Sequence, residues 1–260
     1  MKRFFEYIGG IAIVAFSFVY TEKAAIIVQG KNPVMQSIVE NESDYNVASV
    51  NATIEGNYII PGSNGIQVNI NKSFRKMRNL KVFNDYFLVL DEVTPDISLS
   101  NNKDKIIRKS NNSKNAISLI FESSSQTSEY AIKQNLLVNI ALSVDNQSLI
   151  NSYEYINGAK SAATFSNIET ILNKHKLNKN ICLINENNIE LCKKNNKYLV
   201  ESTHILDGSN LVTIKSHINN GDIIFIKDSA NLSDLQIILQ QIKYQGLSIK
   251  PLSDLISENS

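Results

Sequence analysis

Few residues in this chain look able to do chemistry, and the most conspicuous follow a run that reads as buried: GDIIFIKDSAN, residues 221–231. Ile223, Ile224, Phe225 and Ile226, introduced by Gly221, have the pattern of a strand covered on both faces. Strands of that kind form parallel sheets, whose carboxyl ends carry ligand-binding groups. Lys227 and Asp228 stand at that end. An ammonium held there needs a counter-charge, because an unpaired buried cation is very costly. The three histidines offer no alternative centre. His175 in NKHKLN falls at a polar helix end, and His204 in ESTHIL falls in a strand near Glu201. His217 in IKSHINN falls near a helix end, where it suits the dipole. None has a partner at metal-ligand spacing. Cys182 and Cys192 are the only cysteines, too few for a zinc site. Cys182 lies in an expected strand and Cys192 in the helix after it, so they can form a disulfide or remain two buried thiols.

The elements that must position these groups alternate from residue 116 onward. Strands are expected at AISLIF (116–121), LLVNIALSV (136–144), YEYI (153–156), NICLIN (180–185), YLVESTHIL (198–206) and GDIIFIKD (221–228). Helices are expected at 127–134, 146–153, 165–178 and 188–195, and at the start of 209–220. SDLQIILQQIKYQG (233–246) reads as an amphipathic helix, capped by Ser233 and ended by Gly246, before a last strand and helical turn in LSIKPLSDLI (247–256). This rhythm argues for an α/β fold with a mostly parallel sheet. Ahead of it, 23–55 reads as helical at first and then irregular. Ile66, Val68 and Ile70 alternate as in a half-buried strand, and Asn71 is placed to cap a helix bearing Phe74 and Met77. VFNDYFLVLDEV (82–93) adds a strand, and 97–115 reads as a polar link. There is no internal repeat and no glycine-rich phosphate loop.

At 260 residues, 43% hydrophobic and 20% charged, the chain can bury a large core. A net charge of +1 gives no reason to invoke nucleic acid. At the amino terminus Met1-Lys2-Arg3 precedes FFEYIGGIAIVAFSFVY (4–20), broken only by Glu6. The segment can be an uncleaved membrane anchor, a cleaved signal peptide or a buried helix. The first two readings export everything after about residue 22 and permit a disulfide. The expected organisation is an anchor or signal segment over 1–22, an α+β extension and linker over 23–112, and the main domain over 113–260.

The tail NGDIIFIKDSANLSDLQIILQQIKYQGLSIKPLSDLIS resembles the closing segment of polysaccharide deacetylases, the NodB-homology family, and AISLIFESS resembles its opening strand. The resemblance covers about residues 113–257. It implies a distorted (β/α) barrel, here preceded by an anchor helix and a small extension. In that family a divalent metal held by one aspartate and two histidines assists hydrolysis of acetyl groups on N-acetylglucosamine polymers. The family's base aspartate falls on Glu122 and its metal-binding aspartate on Ser123, a poor ligand. YEYINGAKSAATF (153–165) holds no histidine, with Gly158 about where the first would be, and the late histidine falls on Lys227. The resemblance therefore implies a degenerate site with no metal; zinc is expected only if an atypical ligand set exists. Glu122 and Lys227 are expected to pair across the mouth in place of the metal, with Asp228 beside them. Two solvated loop charges and a catalytic pair are the competing readings.

The leading functional expectation is a cell-surface pseudoenzyme, single-pass in the membrane through residues 4–20 or else secreted. It would bind cell-wall glycan through its groove, or an envelope protein through its extension. Tyr130, Tyr153, Tyr155 and Phe165 are candidate sugar-stacking faces, although such aromatics are more often core. The alternatives are an active carbohydrate deacetylase with an atypical site, and a structural or assembly protein of the envelope.

Overall fold

A computed structural model describes residues 31–122, 125–143 and 153–259. From the amino end come α1 (Pro33–Asn41), β1 (Thr53–Glu55), β2 (Tyr58–Ile60), β3 (Gly65–Val68), α2 (Ile70–Met77), β4 (Leu90–Val93) and β5 (Ile106–Ile107). The alternating part begins with β6 (Ala116–Phe121), α3 (Gln126–Lys133), β7 (Val138–Leu142), β8 (Tyr153–Asn157), α4 (Ala162–Lys174) and β9 (Ile181–Leu183). It continues with α5 (Ile189–Lys194), β10 (Tyr198–Val200), β11 (His204–Leu206), α6 (Leu211–His217) and β12 (Ile223–Ile226). It ends with α7 (Leu232–Tyr244), β13 (Ser248–Ile249) and α8 (Leu252–Ile256). The helix expected over 146–153 falls mainly outside the described residues, and Tyr153 itself opens β8. The expected anchor segment also lies outside them. Among the described residues no helix is long and apolar enough to cross a membrane.

By contact the chain forms two units. The smaller combines the residues up to Ala48 with Gly65–Val93. Its core is Val34, Met35 and Ile38 from α1 against Phe74 and Met77 from α2, the face that the helical spacing predicts. The cap of α2 is Asn69, whose side chain accepts from the Lys72 N–H; Asn71, expected in that role, is already inside the helix. The strand expected over 82–93 is confined to β4, which pairs antiparallel with β3, while 85–87 is a 3-10 turn.

The larger unit takes Ser49–Asn64 and Thr94–Ser260. Its sheet runs β1-β2-β5-β10-β9-β8-β7-β6-β12-β11, with β13 added to β6, and every pairing except β1 with β2 is parallel. The stretch read as a polar link carries β5, which inserts between β2 and β10 with Ile107 fully buried. Residues 198–206, expected as one strand, divide in two. β10 pairs with β9, while β11 pairs with β12. A single short segment thereby links two distant parts of the sheet and curls it, so the expected barrel takes the form of a curled half-barrel.

Parity along the strands decides which face each residue serves. Ile117, Leu119 and Phe121 of β6 meet Phe165, Ile168 and Leu172 of α4 and Leu235, Ile238 and Ile242 of α7 in the outer core. Ala116 and Ile120 point the other way, with Ala141, Ile156, Ile181 and Ile223, against Leu252, Leu255 and Ile256 of α8. Burial on both faces explains the near-continuous apolar runs. The inner layer includes one buried amide: Asn139 donates to Ser118 Oγ (2.8 Å) and the Leu119 carbonyl (2.7 Å) and accepts from the Leu252 N–H (2.9 Å). It thereby satisfies an orphan donor at the start of α8. α7 is capped by Asn231 rather than by Ser233, and Gly246, at φ +69°, follows its end.

Candidate functional site

The carboxyl ends of the strands surround a cavity of about 400 Å³, lined among others by Glu122, Ser143, Gly158, Lys160, Glu201 and Lys227. Ile226 is level with Phe121 across the β12–β6 ladder, and the Glu122 N–H donates to the Ile226 carbonyl (2.9 Å). Glu122 and Lys227 are thus side by side on adjacent strands and share the inner parity of Ile120 and Phe225.

Their direct ion pair does not form. Glu122 Oε1 accepts instead from Lys160 Nζ at 3.0 Å, and Oε2 accepts from the Asp228 N–H at 3.2 Å. Burial by itself would push the Glu122 carboxyl up. The Lys160 hydrogen bond, the Asp228 N–H and the charges of Lys160 and Lys227 outweigh it and hold the carboxyl below the ordinary glutamate value. Lys227 is half-buried and contributes through its field, whereas Asp228 is exposed and contributes a backbone donor. Adjacent backbones do not guarantee a contact, because a lysine can extend away from its neighbour; Lys160 reaches in from the loop after β8. Ser123 lies outside the described residues.

Lys160 lies in YEYINGAKSAATF, where the sequence singles out a strand, Gly158 and three aromatic residues but not this lysine. Its position is built from several amides. Asn157 Oδ1 accepts from the Ala159 N–H (3.0 Å), while Asn185 and Asn188 both donate to the Ala159 carbonyl (3.0 and 2.8 Å). Asn157 in turn donates to Glu169 Oε1 (2.8 Å). The other Glu169 oxygen takes Asn178 (2.9 Å) and the buried Lys197, which also donates to Asn178 Oδ1 (3.0 Å). The one available signal was the repeated placement of Asn at or just after strand ends, in IN-G at 156–158 and IN-E at 184–186. Behind the opposite wall, Arg108 holds Glu201 (2.7 Å) and stacks on Tyr58, with its guanidinium carbon 3.9 Å from the ring centre.

A divalent ion does not fit these residues. Glu122 already has a partner on each oxygen. Gly158 supplies no donor atom, and a Cβ there would lie 3.0 Å from the Ala141 Cβ. Lys227 brings a positive charge to the rim, at the position where the resemblance places the histidine that acts as acid. Among the described residues no group of three His, Cys, Asp or Glu side chains could hold a metal.

The histidines lie elsewhere. His175 is exposed at the end of α4, and His217 bonds the Thr213 carbonyl within its own helix. His204 pairs with the buried Asp222 (3.1 Å) ahead of β12, toward the amino ends of the strands. Tyr155 and Phe165 are core residues, and Tyr130 lines an outer groove beside α7. The side chain of Tyr153 is outside the described residues. Cys182 and Cys192 are joined in a disulfide, Cα to Cα 6.1 Å.

The curled parallel sheet, its outer helices and the strand-end mouth define a protein of polysaccharide deacetylase type in fold. The solved structure of BA3943, a CE4 family pseudoenzyme from Bacillus anthracis, is similar over 87% of this chain and 95% of that one, with a TM-score of 0.57 and 16% identity. A BA3943 mutant with restored enzymatic activity is similar over 87% and 98%, with a TM-score of 0.55 and 16% identity. At this identity the likeness is one of fold. In sequence, the chain is 30% identical over 95 residues to the uncharacterized protein YlxY of Bacillus subtilis (strain 168). That match spans 36% of this chain and 30% of the length of that relative. No family model matches the sequence.

Proposed function

We propose that this chain is an extracytoplasmic, deacetylase-like protein that lacks the metal-dependent hydrolase site and uses the strand-end mouth to bind cell-wall glycan. The observation that carries the reading is the Lys160–Glu122 ion pair, which engages the one carboxylate that the resemblance retains. A similar fold in BA3943, itself a pseudoenzyme, supports it. The Cys182–Cys192 disulfide supports an oxidising compartment, and with it the reading of residues 4–20 as a segment that exports the rest of the chain.

The test joins three measurements on the purified full chain: metal content after zinc exposure, turnover of acetylated chitooligomers, and sedimentation with isolated cell walls. The reading expects no stoichiometric zinc, no deacetylation and retention on the walls. Stoichiometric zinc with turnover would establish an atypical active deacetylase instead. Absence from the wall fraction would leave an assembly role. Protease accessibility on intact cells tests the export of the main domain.

A further inference from the structure

The smaller unit leaves an unusual share of its apolar surface uncovered. Six of the thirteen exposed large apolar residues among the described residues belong to it: Val39, Val47, Leu80, Val82, Tyr86 and Leu90. Three of these fall in the connection between α2 and β4, with Leu80 46%, Val82 61% and Tyr86 85% exposed. Arg78, Asn79, Leu80, Lys81 and Val82 stand in solvent one after another. The Leu80 N–H bonds the Met77 carbonyl (2.8 Å) and Lys81 takes a φ of +59°, so the chain turns tightly past the helix end.

The same knuckle is basic. Arg75 and Lys76 are exposed in the last turn of α2, where the helix dipole favours cations; Arg78 and Lys81 lie beyond that turn. Among the described residues none of the four has an ion pair. Nearby acids are engaged in other ways. Asp91 holds Lys72 (3.0 Å), and Asp85 accepts from the Tyr86 N–H (2.9 Å). Glu40, Glu42 and Asp44 are grouped around the end of α1.

We propose that this knuckle rests on a bilayer carrying anionic lipid, with Leu80 and Val82 in the interface and the four cations on lipid phosphates. Cations beside exposed aliphatic and phenolic groups match the chemistry of that interface, and basic stems can cover apolar surface while their charges meet headgroups. The proposal goes beyond the mouth and rests on the reading of residues 4–20 as a membrane segment. Twelve residues separate Tyr20 from the start of α1 at Pro33. Fully extended, that tether spans roughly 40–45 Å, so an anchored chain keeps this unit close to the surface and raises its effective concentration there.

The chain has no tryptophan, so Val82→Trp supplies a single reporter. The full-length variant is mixed with vesicles of phosphatidylcholine, alone or with phosphatidylglycerol, whose acyl chains carry bromine. Its fluorescence should shift to the blue and be quenched on the anionic vesicles. Each cation near an anionic surface strengthens partitioning roughly fivefold. Arg75→Gln, Lys76→Gln, Arg78→Gln and Lys81→Gln together should therefore reduce quenching to the level on neutral vesicles. Thermal melts confirm that the variants fold. Retention on vesicles in high salt with the reporter unquenched at any salt overturns the contact and leaves the anchor standing. Quenching at low salt with release at high salt upholds the contact and overturns the anchor. No retention at either salt overturns both. Equal quenching on neutral vesicles, or of Val212→Trp in the larger unit, overturns the assignment to anionic lipid. A blue shift with soluble polyphosphate as large as with vesicles would overturn lipid in favour of a polyanion.

Discussion

Replacing Lys197 with methionine removes one charge from the network that holds the loop carrying Lys160. The Lys197 side chain is 4% exposed and that of Glu169 16%, so the pair is largely withdrawn from water. Methionine preserves most of the volume, and the change therefore isolates the ammonium. Removing one partner of a buried pair costs about 3–5 kcal/mol, because the other charge is left uncompensated. Glu169 keeps its bonds from Asn157 (2.8 Å) and Asn178 (2.9 Å), which places the expected cost near the lower bound, about 3 kcal/mol. At about 2–4 °C per kcal/mol for a domain of this size, the melting temperature should fall by about 6–12 °C. The double variant Lys197→Met, Glu169→Gln discards both charges and should recover about 1–2 kcal/mol relative to Lys197→Met alone. Urea unfolding of the oxidised protein, followed by circular dichroism with the slope checked for constancy, measures all of these. A loss in Lys197→Met below about 0.5 kcal/mol, the usual size of a surface substitution, would show that the ammonium contributes no net stabilisation.

Three further outcomes are expected. The Glu122 carboxyl is held below its ordinary value, so its stabilising contribution is present above the unfolded glutamate pKa, about 4.3, and is lost as pH falls through the lower folded value. Carbon NMR titration should show this, and Lys160→Ala should move the Glu122 titration upward; an unmoved titration would contradict the pair. Gly158→Ala should cost about 1–3 kcal/mol, because the new Cβ would meet Ala141 at 3.0 Å in a buried position, and Ala141→Gly should recover most of it in the double variant. Reduction of Cys182–Cys192, ten residues apart, should lower unfolding stability by about 2–3 kcal/mol on the chain-entropy model, read from urea midpoints with and without reductant.

Within the site, legibility followed the range of the interaction. Parity along AISLIFE and IIFIK puts Glu122 and Lys227 on one face at the carboxyl ends of their strands, and a register set by two long apolar runs puts them level. Nothing in either run indicates where an extended lysine ends. The partner of Glu122 came from a third strand's exit loop, fixed by four asparagines and a buried ion pair that lie apart in the chain. The same limit applies to caps: Asn69 and Asn231 took the positions assigned to Asn71 and Ser233, because any of these short polar residues can cap and only the observed start of the helix chooses among them.

The sequence by itself determined the elements whose signal is local. Near-continuous apolar runs, interrupted only by Ser118 in β6 and Asn139 in β7, made β6, β7 and β12 core strands, and 3.6-residue spacing made α4 and α7 helices with one buried face. Tertiary structure decided what becomes of segments too short or too polar to speak for themselves. Residues 106–107 join the sheet, and 198–206 breaks into two strands serving distant neighbours. The reason is that a strand's backbone groups must be satisfied by whichever neighbour the curl of the sheet brings alongside, and that neighbour is chosen by the packing of the whole unit.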